Sequence, residues 1–219
     1  LSVDVEMPTK SEEILQIFFE PNKIALIGAS EHGTYPSGIM KNLIGKGYHN
    51  RVFPVNPNRD QVFGLSTFPS VLNLPEKVDL ALIVVPRRAV KQVLLECIQI
   101  GIPGAVVITA GFSESDTTGK ALQRDLEELI SHSSIRVIGP NCAGLASLSD
   151  NLVATRLFGS LMSGPVSFVS QSGALMMSLQ GVFSDRQIGL SRLVSLGNQV
   201  DVSLSEMIHV LSADEKTEV

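Results

Sequence analysis

Residues 23–30, KIALIGAS, place an uninterrupted apolar run directly before a turn that contains glycine. Similar short runs follow along the chain at 51–55, 78–85, 104–109 and 135–139. Runs this rich in Val, Ile and Leu are typical of parallel strands that are covered on both faces. Residues 23–28 are therefore predicted to form the first strand of a buried parallel sheet.

Helical periodicity fills the segments between these strands. Apolar residues recur at helical spacing in 37–46, 88–100 and 118–130, and a leading helix is predicted at 11–19 with Ser11 as its N-cap. The link at 59–74 is interrupted by prolines and is predicted to be irregular, with at most a short helix near Ser70. Strands that alternate with helices specify right-handed crossovers, so the predicted fold is α/β, a Rossmann-like doubly wound parallel sheet.

The alternation of strand and helix patterns becomes irregular after Gly144 and returns further along the chain. Residues 145–164 contain scattered Gly, Ser and Asn and are predicted to form a linker. Beyond them, strands are predicted at 166–170 and 190–195, and helices at 173–183 and 202–211. Two such units cannot easily close a sheet of their own. We therefore expect a complete first domain at 11–148 and only the first part of a second α/β domain at 149–219.

Composition narrows the classes of function. The chain has 219 residues, a formal charge of −5 and 44% hydrophobic residues, which predicts a soluble globule. Mild acidity argues against nucleic-acid or anionic-membrane partners, and no apolar run is long enough to span a bilayer. The two cysteines, Cys97 and Cys142, form neither a metal-ligand pair nor a disulfide framework, so we expect no metal and a reducing, cytoplasmic location.

The turn from Gly28 to Gly33 follows the first predicted strand, at the usual phosphate site of a doubly wound sheet. Glycine lets the backbone approach a phosphate closely, and the next helix supplies free N–H groups at its positive end. The spacing departs from the dinucleotide-binding motif G-x-G-x-x-G, because Ser30 stands at the second glycine position. A plain strand-to-helix turn without a ligand therefore stays open as the alternative.

The end of the second predicted strand favours a phosphate ligand over NAD. NAD sites commonly carry an acidic residue there, whereas this chain has Asn56 followed by Arg59. A cation suits a ribose phosphate, as in NADP or the 3′-phosphate of coenzyme A, although a plain surface arginine is the alternative. The ends of the next three strands add further residues to the same rim, namely Pro86, Thr109, Ala110, Gly111 and Asn141.

Six short motifs occur in a fixed order: IGAS at 27–30, PVNP at 54–57, VVP at 84–86, ITAGF at 108–112, GPNC at 139–142 and VSQSGAL at 169–175. The ordered set resembles the NDP-forming acyl-CoA synthetases, which include ADP-forming acetate–CoA ligases and, more distantly, the alpha subunit of succinyl-CoA synthetase. The resemblance implies a Rossmann-like CoA-binding domain followed by a partial flavodoxin-like domain. It also implies a coenzyme A site formed by Gly28, Ser30, Gly33, Asn56, Arg59, Pro86, Thr109, Ala110, Gly111 and Asn141.

The family's reaction passes from an acyl phosphate, through a phosphorylated histidine, to transfer of the acyl group to coenzyme A. The resemblance places Ser170, Ser172 and Gly173 at the helix that cradles the phosphohistidine loop, although a simple Ser N-cap is the alternative. The histidine itself is expected beyond Val219, so no catalytic residue is assigned in this chain. ATP, ADP and Mg²⁺ are expected only through an ATP-grasp domain or subunit.

Purified by itself, the chain is expected to bind coenzyme A but not to ligate a small carboxylic acid to it. An incomplete second sheet would favour association with the missing part or, as a homo-oligomer, with itself. Two alternatives remain open: a ligand-sensing, synthetase-like region of a protein lysine acetyltransferase, and an NAD(P)-responsive regulatory Rossmann domain. The sequence does not predict which acid is activated.

Overall fold

A computed structural model describes residues 9–156 and 161–219, which form two main β-sheets flanked by helices. The first sheet and its helices occupy the N-terminal part of the chain. In chain order its elements are α1 (Lys10–Phe19), β1 (Ile24–Ile27), α2 (Thr34–Leu43), β2 (Val52–Val55), the hairpin strands β3 (Gln61–Val62) and β4 (Leu65–Ser66), β5 (Leu80–Ile83), α3 (Val90–Gln99), β6 (Gly104–Val107), α4 (Thr117–Ser131) and β7 (Arg136–Ile138).

The first sheet has the order β2-β1-β5-β6-β7, and all of its neighbouring strands are parallel. This confirms the predicted α/β class and doubly wound parallel sheet. Counted along the chain, the five strands follow the flavodoxin-type order 2-1-3-4-5, not the order of the dinucleotide-binding fold. The chain goes from β1 to β2 and then crosses back to β5, so β1 and β5 flank the topological switch point. Ligands of such sheets bind outside the carboxyl ends of the strands at that point.

The second sheet differs from the prediction. Its elements are β8 (Gly144–Ser147), β9 (Leu152–Thr155), β10 (Ser163–Ser170), α5 (Gly173–Asp185), β11 (Leu190–Ser195) and α6 (Leu204–Ser212), with the strand order β10-β11-β8-β9. Strands β10 and β11 are parallel, and the pairs β11–β8 and β8–β9 are antiparallel.

The predicted linker at 145–164 was therefore wrong where β8 and β9 form. Both strands are buried along their whole length, but β8 is built from Gly, Leu, Ala and Ser, whose sequence lacks the apolar density that marks a buried strand. Residues 157–160 of that predicted linker lie outside the described residues. The boundary between 11–148 and 149–219 stays a prediction, and β8, on its N-terminal side, pairs in the second sheet.

The N-cap of helix α1 lies two residues earlier than the sequence predicted. The N-cap is Thr9, not Ser11: the Thr9 hydroxyl accepts from Glu12 N, and the Glu12 carboxylate accepts from Thr9 N. A capping box of this type satisfies two backbone donors reciprocally, which a serine farther into the helix cannot do. The 59–74 link contains the small hairpin and a short 3₁₀ turn at Val71–Asn73, capped by Ser70.

The two sheets share one hydrophobic core. Leu26 of β1, Val194 of β11 and Met207 of α6 belong to the same buried cluster, in which α1 and α2 contribute apolar side chains. Helices α3 and α4 cover the opposite face of the first sheet, around a second cluster. Among the described residues, no helix is long and apolar enough to cross a membrane.

Candidate functional site

The carboxyl ends of β1, β2 and β5 open into a cavity of about 430 Å³, which we call the switch-point cavity. Its position is the one that the strand order predicts for a ligand. Its wall combines backbone, apolar side chains and a few polar groups: Ile27, Gly28, Val55, Asn56, Pro57, Asn58, Pro69, Ser70, Val71, Val84, Val85, Pro86, Ala89, Val93 and Glu96.

Gly28 ends β1 in a conformation that only glycine adopts easily. Its φ is +88°, and a Cβ there would lie 2.0 Å from the carbonyl oxygen of Val84. Its N–H donates to the carbonyl of Val55 at 2.9 Å, which ties the turn to β2. At the floor of the cavity, the backbones at the ends of β2, β1 and β5 therefore approach one another directly, because Gly28 has no side chain that would separate them.

The walls of the switch-point cavity are held by local hydrogen bonds. The Asn56 amide donates to Ala29 O at 2.8 Å, and its Oδ1 accepts from Asn58 N at 2.9 Å. On the opposite side, Ser70 Oγ donates to the Glu96 carboxylate at 2.6 Å. The result is an apolar slot whose rim carries amide, hydroxyl and carboxylate groups, a combination typical of small-molecule sites.

Helix α2 starts beside this turn without a side-chain cap. Its N-cap is Gly33, with φ +83°, and among the described residues no side chain bonds to the free N–H groups of the first turn. By contrast, α1, α4, α5 and α6 are each capped by a Thr, Asp or Ser side chain. Uncapped N–H groups at the positive end of a helix can bind an anion.

A second cavity, of about 560 Å³, lies where the two sheets meet, and we call it the inter-sheet cavity. It is at the carboxyl ends of β7, β10 and β11, and both halves of the chain build it. Its lining residues are Tyr35, Glu114, Asn141, Cys142, Ala143, Gln171, Ser172, Gly173, Ala174, Met177, Gly197 and Asn198.

The N-terminus of α5 points into the inter-sheet cavity. Ser172 is the N-cap, and its hydroxyl accepts from Leu175 N at 3.2 Å. A Cβ on Gly173 would come within 2.9 Å of Ala143 Cβ, so glycine lets the helix approach the loop after β7. Ser170 is buried just behind this turn and holds it, because its hydroxyl accepts from Ser172 N at 3.0 Å.

Asn198 joins the loops that surround the same cavity. Its amide nitrogen lies 2.6 Å from Glu114 Oε2 and 2.8 Å from Gln123 Oε1, and its Oδ1 accepts from the Asn141 amide at 3.3 Å. The neighbouring Gly197 has φ +59°, and a Cβ there would lie 2.2 Å from Pro140 O. The loops after β6, β7 and β11 are therefore packed against one another as one wall.

Three ionisable groups of the inter-sheet cavity have shifted pKa values, and burial raises that of the Tyr35 hydroxyl. Burial raises the pKa of the Cys142 thiol to about 12, so this thiol is neutral and not a nucleophile near pH 7. Burial alone would also raise the pKa of Glu114, but hydrogen bonds from Asn198 and from the N–H groups of Gly111 and Phe112 outweigh it and lower that pKa. Glu114 is therefore a fixed negative charge at neutral pH.

The structure distributes the predicted site residues over the rim. Gly28, Asn56 and Pro86 line the switch-point cavity, and Asn141, Ser172 and Gly173 line the inter-sheet cavity. Thr109 Oγ1 donates to Val85 O at 2.7 Å, which joins the ends of β5 and β6 between the cavities. Ser30, Gly33, Ala110 and Gly111 lie on the adjoining turns, Ser170 ends β10, and Arg59 is exposed in the link after β2.

Several lining residues escaped the sequence prediction. Three of them, Glu114, Asn198 and Tyr35, line the inter-sheet cavity, and each belongs to a different segment of the chain. Asn198 follows the carboxyl end of β11, so the rule applied to the first sheet would have found it. Tyr35 carries no such signal, because it reaches the cavity from the first turn of α2 through tertiary packing alone. All four histidines are among the described residues, and none of them lines either cavity.

Comparison with known proteins gives consistent matches. A family model described as a CoA binding domain matches residues 22–147, and one described as a succinyl-CoA ligase-like flavodoxin domain matches residues 163–219. The chain is 40% identical to an ADP-forming acetate–CoA ligase of Methanocaldococcus jannaschii, over 91% of this chain and 28% of that protein. It is 39% identical to the alpha subunit of ADP-forming acetate–CoA ligase II of Pyrococcus furiosus, over 91% of this chain and 43% of that one.

Solved structures agree with these matches. The apo form of the dinucleotide-forming acetyl-coenzyme A synthetase 1 of Candidatus Korarchaeum cryptofilum superimposes with a TM-score of 0.86 at 36% identity. The match covers 93% of this chain and 44% of that one. The chain thus spans less than half the length of each of these three relatives.

Proposed function

This chain belongs to the CoA binding domain family, and from that premise we propose that it forms the CoA-binding portion of an ADP-forming acyl-CoA synthetase. The whole enzyme would convert a carboxylic acid, ATP and coenzyme A into acyl-CoA, ADP and phosphate. The main support for the proposal is the edge of the first sheet formed by the carboxyl ends of its strands. Along this edge, the ends of β5, β6 and β7 connect the switch-point cavity to the inter-sheet cavity.

The two cavities suit a ligand with a polar head and a long arm. Strands β1 and β7 are three positions apart in the sheet, and neighbouring strands lie about 4.8 Å apart, so the rim spans roughly 14 Å. We assign the base to the apolar slot of the switch-point cavity, and the phosphates to the Gly28 turn, Ser30 and the uncapped start of α2 at Gly33. Arg59, at the edge after β2, is the proposed partner of the ribose phosphate.

The arm would follow the strand ends toward the inter-sheet cavity. Pro86, Thr109, Ala110 and Gly111 lie along this path with Asn56 at its start, and Asn141 is the proposed neighbour of the thiol end. Ser170, Ser172 and Gly173 are the proposed cradle of a phosphoryl group at the start of α5, since free N–H groups there favour an anion. In this proposal residues 11–148 form the CoA-binding unit and 149–219 part of the flavodoxin-like unit.

The remaining parts of the reaction are assigned to other modules. We infer that ATP, ADP and Mg²⁺ bind to an ATP-grasp domain or subunit, and that the enzyme works in the cytoplasm. Neither an acetyltransferase nor an NAD(P)-dependent regulator is among the relatives described above, so those two alternatives receive no support from the comparisons. The ligase interpretation is the one that we carry forward.

Titration calorimetry of the 219-residue chain with CoA, NADPH and NADH tests the proposal. We expect CoA to bind and NADH not to bind, because Asn56, and not an acidic residue, stands at the end of β2 where an NAD site holds the ribose hydroxyls. The same preparation, supplied with acetate, ATP, Mg²⁺ and CoA, is expected to form no acetyl-CoA. Tight binding of NADH without binding of CoA would contradict the assignment of the switch-point cavity and of Arg59.

A further inference from the structure

The small hairpin β3–β4 is attached to the first sheet at its open end. Strand β4 leads to Phe68, whose carbonyl accepts from Asn56 N at 2.9 Å, just after β2. One residue earlier, Thr67 N donates to Asp60 O at 3.0 Å, and the Thr67 hydroxyl donates to the carbonyl of Arg59. Thr67 therefore holds the backbone of Arg59 close to the end of β2.

The tip of the hairpin is attached to the turn from Gly28 to Gly33. Phe63 and Gly64 form the tip with φ values of +50° and +75°, and a positive φ is unusual for a bulky side chain. The carboxylate of Glu31, on the turn, accepts from Phe63 N at 2.7 Å. Lys41 of α2 lies over the Phe63 ring, 5.7 Å from its centroid. Two charged side chains therefore hold a backbone conformation that phenylalanine does not adopt easily.

The guanidinium group of Arg59 is left available to a ligand. Its side chain is exposed, and within residues 9–156 and 161–219 no carboxylate forms an ion pair with it. A guanidinium presents several donors in a planar fork, which matches the oxygens of a phosphate. The hairpin thus combines a fixed backbone with an unpaired cationic side chain.

We propose that the hairpin β3–β4 distinguishes coenzyme A from 3′-dephospho-coenzyme A, with Thr67 and Glu31 as positioning residues for Arg59. This rests on the proposed function, which assigns the ribose phosphate to Arg59 and the other phosphates to the turn after β1. The hairpin reaches from the end of β2 to that turn, so it joins the two phosphate subsites. Neither Thr67 nor Glu31 is assigned a contact with the ligand.

The physical reason is that ordering a loop during binding costs free energy. A ligand that had to fix both the backbone around Arg59 and its long side chain would lose part of the binding energy to this ordering. With the backbone already held at both ends of the hairpin, the ligand orders the side chain alone. Loosening either attachment should therefore weaken the recognition of the 3′-phosphate and leave the other contacts of the ligand unchanged.

Two carboxylates on this path have the same sign of charge as the ligand. Asp60 is exposed next to Arg59, and Glu31 is exposed on the turn assigned to the other phosphates. Repulsion by Glu31 would weaken the binding of coenzyme A and of 3′-dephospho-coenzyme A together, because both compounds carry the diphosphate. A positioning role changes the affinity for coenzyme A relative to the dephospho compound, so the ratio of the two dissociation constants separates the two effects.

The test measures the dissociation constants of both compounds for the 219-residue chain, by calorimetry at neutral pH and fixed salt. The discrimination ratio is the dissociation constant of 3′-dephospho-coenzyme A divided by that of coenzyme A. We expect a ratio of at least about ten for wild type, the size of one charge-assisted hydrogen bond. Arg59→Met should bring the ratio within about twofold of one, because it removes the cation and keeps an unbranched apolar stem.

Two matched pairs of variants test the positioning residues. Glu31→Ala and Glu31→Gln remove the same charge, but only glutamine keeps an acceptor oxygen for Phe63 N. Thr67→Val and Thr67→Ser differ in the same way, because only serine keeps the hydroxyl donor to Arg59 O. We expect Glu31→Ala and Thr67→Val each to lower the discrimination ratio by at least about threefold, and the two conservative variants to stay within about 1.5-fold of wild type.

The outcomes separate this inference from the proposed function. A pair whose two members change the ratio equally, or leave it as in wild type, overturns the positioning role of that residue, and the proposed function stands. If coenzyme A binds but wild type does not discriminate, or Arg59→Met still discriminates, the inference fails together with the assignment of Arg59, while coenzyme A remains the ligand. If neither compound binds, the proposed function is overturned as well. Urea denaturation of each variant shows whether it is folded, and the two pairs test the hairpin independently of each other.

Discussion

At the scale of single residues, the absence of a side chain decides the shape of the rim. Gly28 brings the end of β1 against Val84 O, and Gly197 brings the loop after β11 against Pro140 O. Each has a positive φ and a neighbouring backbone atom where a Cβ would stand. The sequence pattern placed Gly28 at a strand end, but the close contact with Val84 follows only from the parallel pairing of β1 with β5.

Gly28→Ala is expected to lower the free energy of unfolding by about 2–4 kcal/mol, because it adds backbone strain at φ +88° to a clash with Val84 O. Gly47→Ala is the matched control: Gly47 has φ +90°, and nothing lies within 4 Å of a Cβ built there. The control should cost only about 1 kcal/mol, from the backbone alone. Urea denaturation measures both, and equal losses would show that the contact with Val84 contributes nothing.

At the scale of elements, a buried cation joins segments that are distant in sequence. Arg192 of β11 has 0% of its side chain exposed and donates to Asp214 at 2.8 Å, and it also bonds to Asp150 and Ser147. Lys216 adds contacts to Asp150 at 2.7 Å and to Glu20 at 2.8 Å. The end of α1, the turn between β8 and β9, and the turn after α6 are therefore held by one charged network.

Because of this network, we expect the free energy of unfolding to depend on pH in the acidic range. Burial alone would raise the pKa of Asp150, but hydrogen bonds from Lys216, Ser147 and Arg192 outweigh it and hold that pKa at about 2. Because the unfolded carboxyl titrates near 3.8, the unfolded state binds more protons between these values. The contribution of Asp150 is thus fully present above about pH 4 and is lost as the pH falls toward 2, by up to about 2 kcal/mol.

The measurement is urea denaturation at several pH values between 2 and 5. Asp150→Asn should lower stability near neutral pH and flatten the decline of stability in acid. Asp185→Asn serves as the control, because Asp185 is exposed at the end of α5 and forms no ion pair among the described residues. If the stability of Asp150→Asn falls as steeply in acid as that of wild type, groups other than Asp150 cause the decline.

At the scale of the whole molecule, the two sheets are held together at both ends of the first sheet. At the carboxyl ends, the loops around Asn198 close the inter-sheet cavity. At the opposite ends, Arg136 of β7 bonds to Asp201 at 2.9 Å and to Glu206 of α6 at 2.8 Å, with 19% of its side chain exposed. The first contact zone contains the candidate site, and the second is structural.

Arg136→Met is therefore expected to weaken folding without changing ligand affinity. It leaves Asp201 without its cationic partner in a half-buried setting and leaves Glu206 with only the exposed Lys10, at 2.8 Å, which should cost about 2–3 kcal/mol. Because Arg136 stands at the amino end of β7, the dissociation constant for CoA should stay within about twofold of wild type.

Lys91→Met removes an exposed ion pair, with Asp125 at 3.4 Å, and is the matched control. Its expected cost is below about 1 kcal/mol. Urea denaturation and CoA calorimetry on the same preparations check both expectations. A large loss of CoA affinity in Arg136→Met would show that the two contact zones are coupled.

Much of the first sheet could be predicted from the sequence. The buried runs at β1, β5 and β6 and the helices between them are local patterns, since continuous apolar strands and amphipathic helices each carry their own period. The second sheet was predicted only in part. Strand β8 consists mostly of small residues, and the burial of β8 and β9 depends on the pairing of β8 with β11 and on the packing of α2 against β9, which no local period records.

The sequence by itself determined the α/β alternation, the glycine turn at Gly28 and the order of the motifs along the rim. Only the tertiary structure decided that Tyr35, Glu114 and Asn198 share one cavity, because these residues come from three segments far apart in the chain. The physical reason is that a strand or a helix is specified by neighbours along the chain. A cavity, and the charge that it presents to a ligand, is specified by neighbours in space.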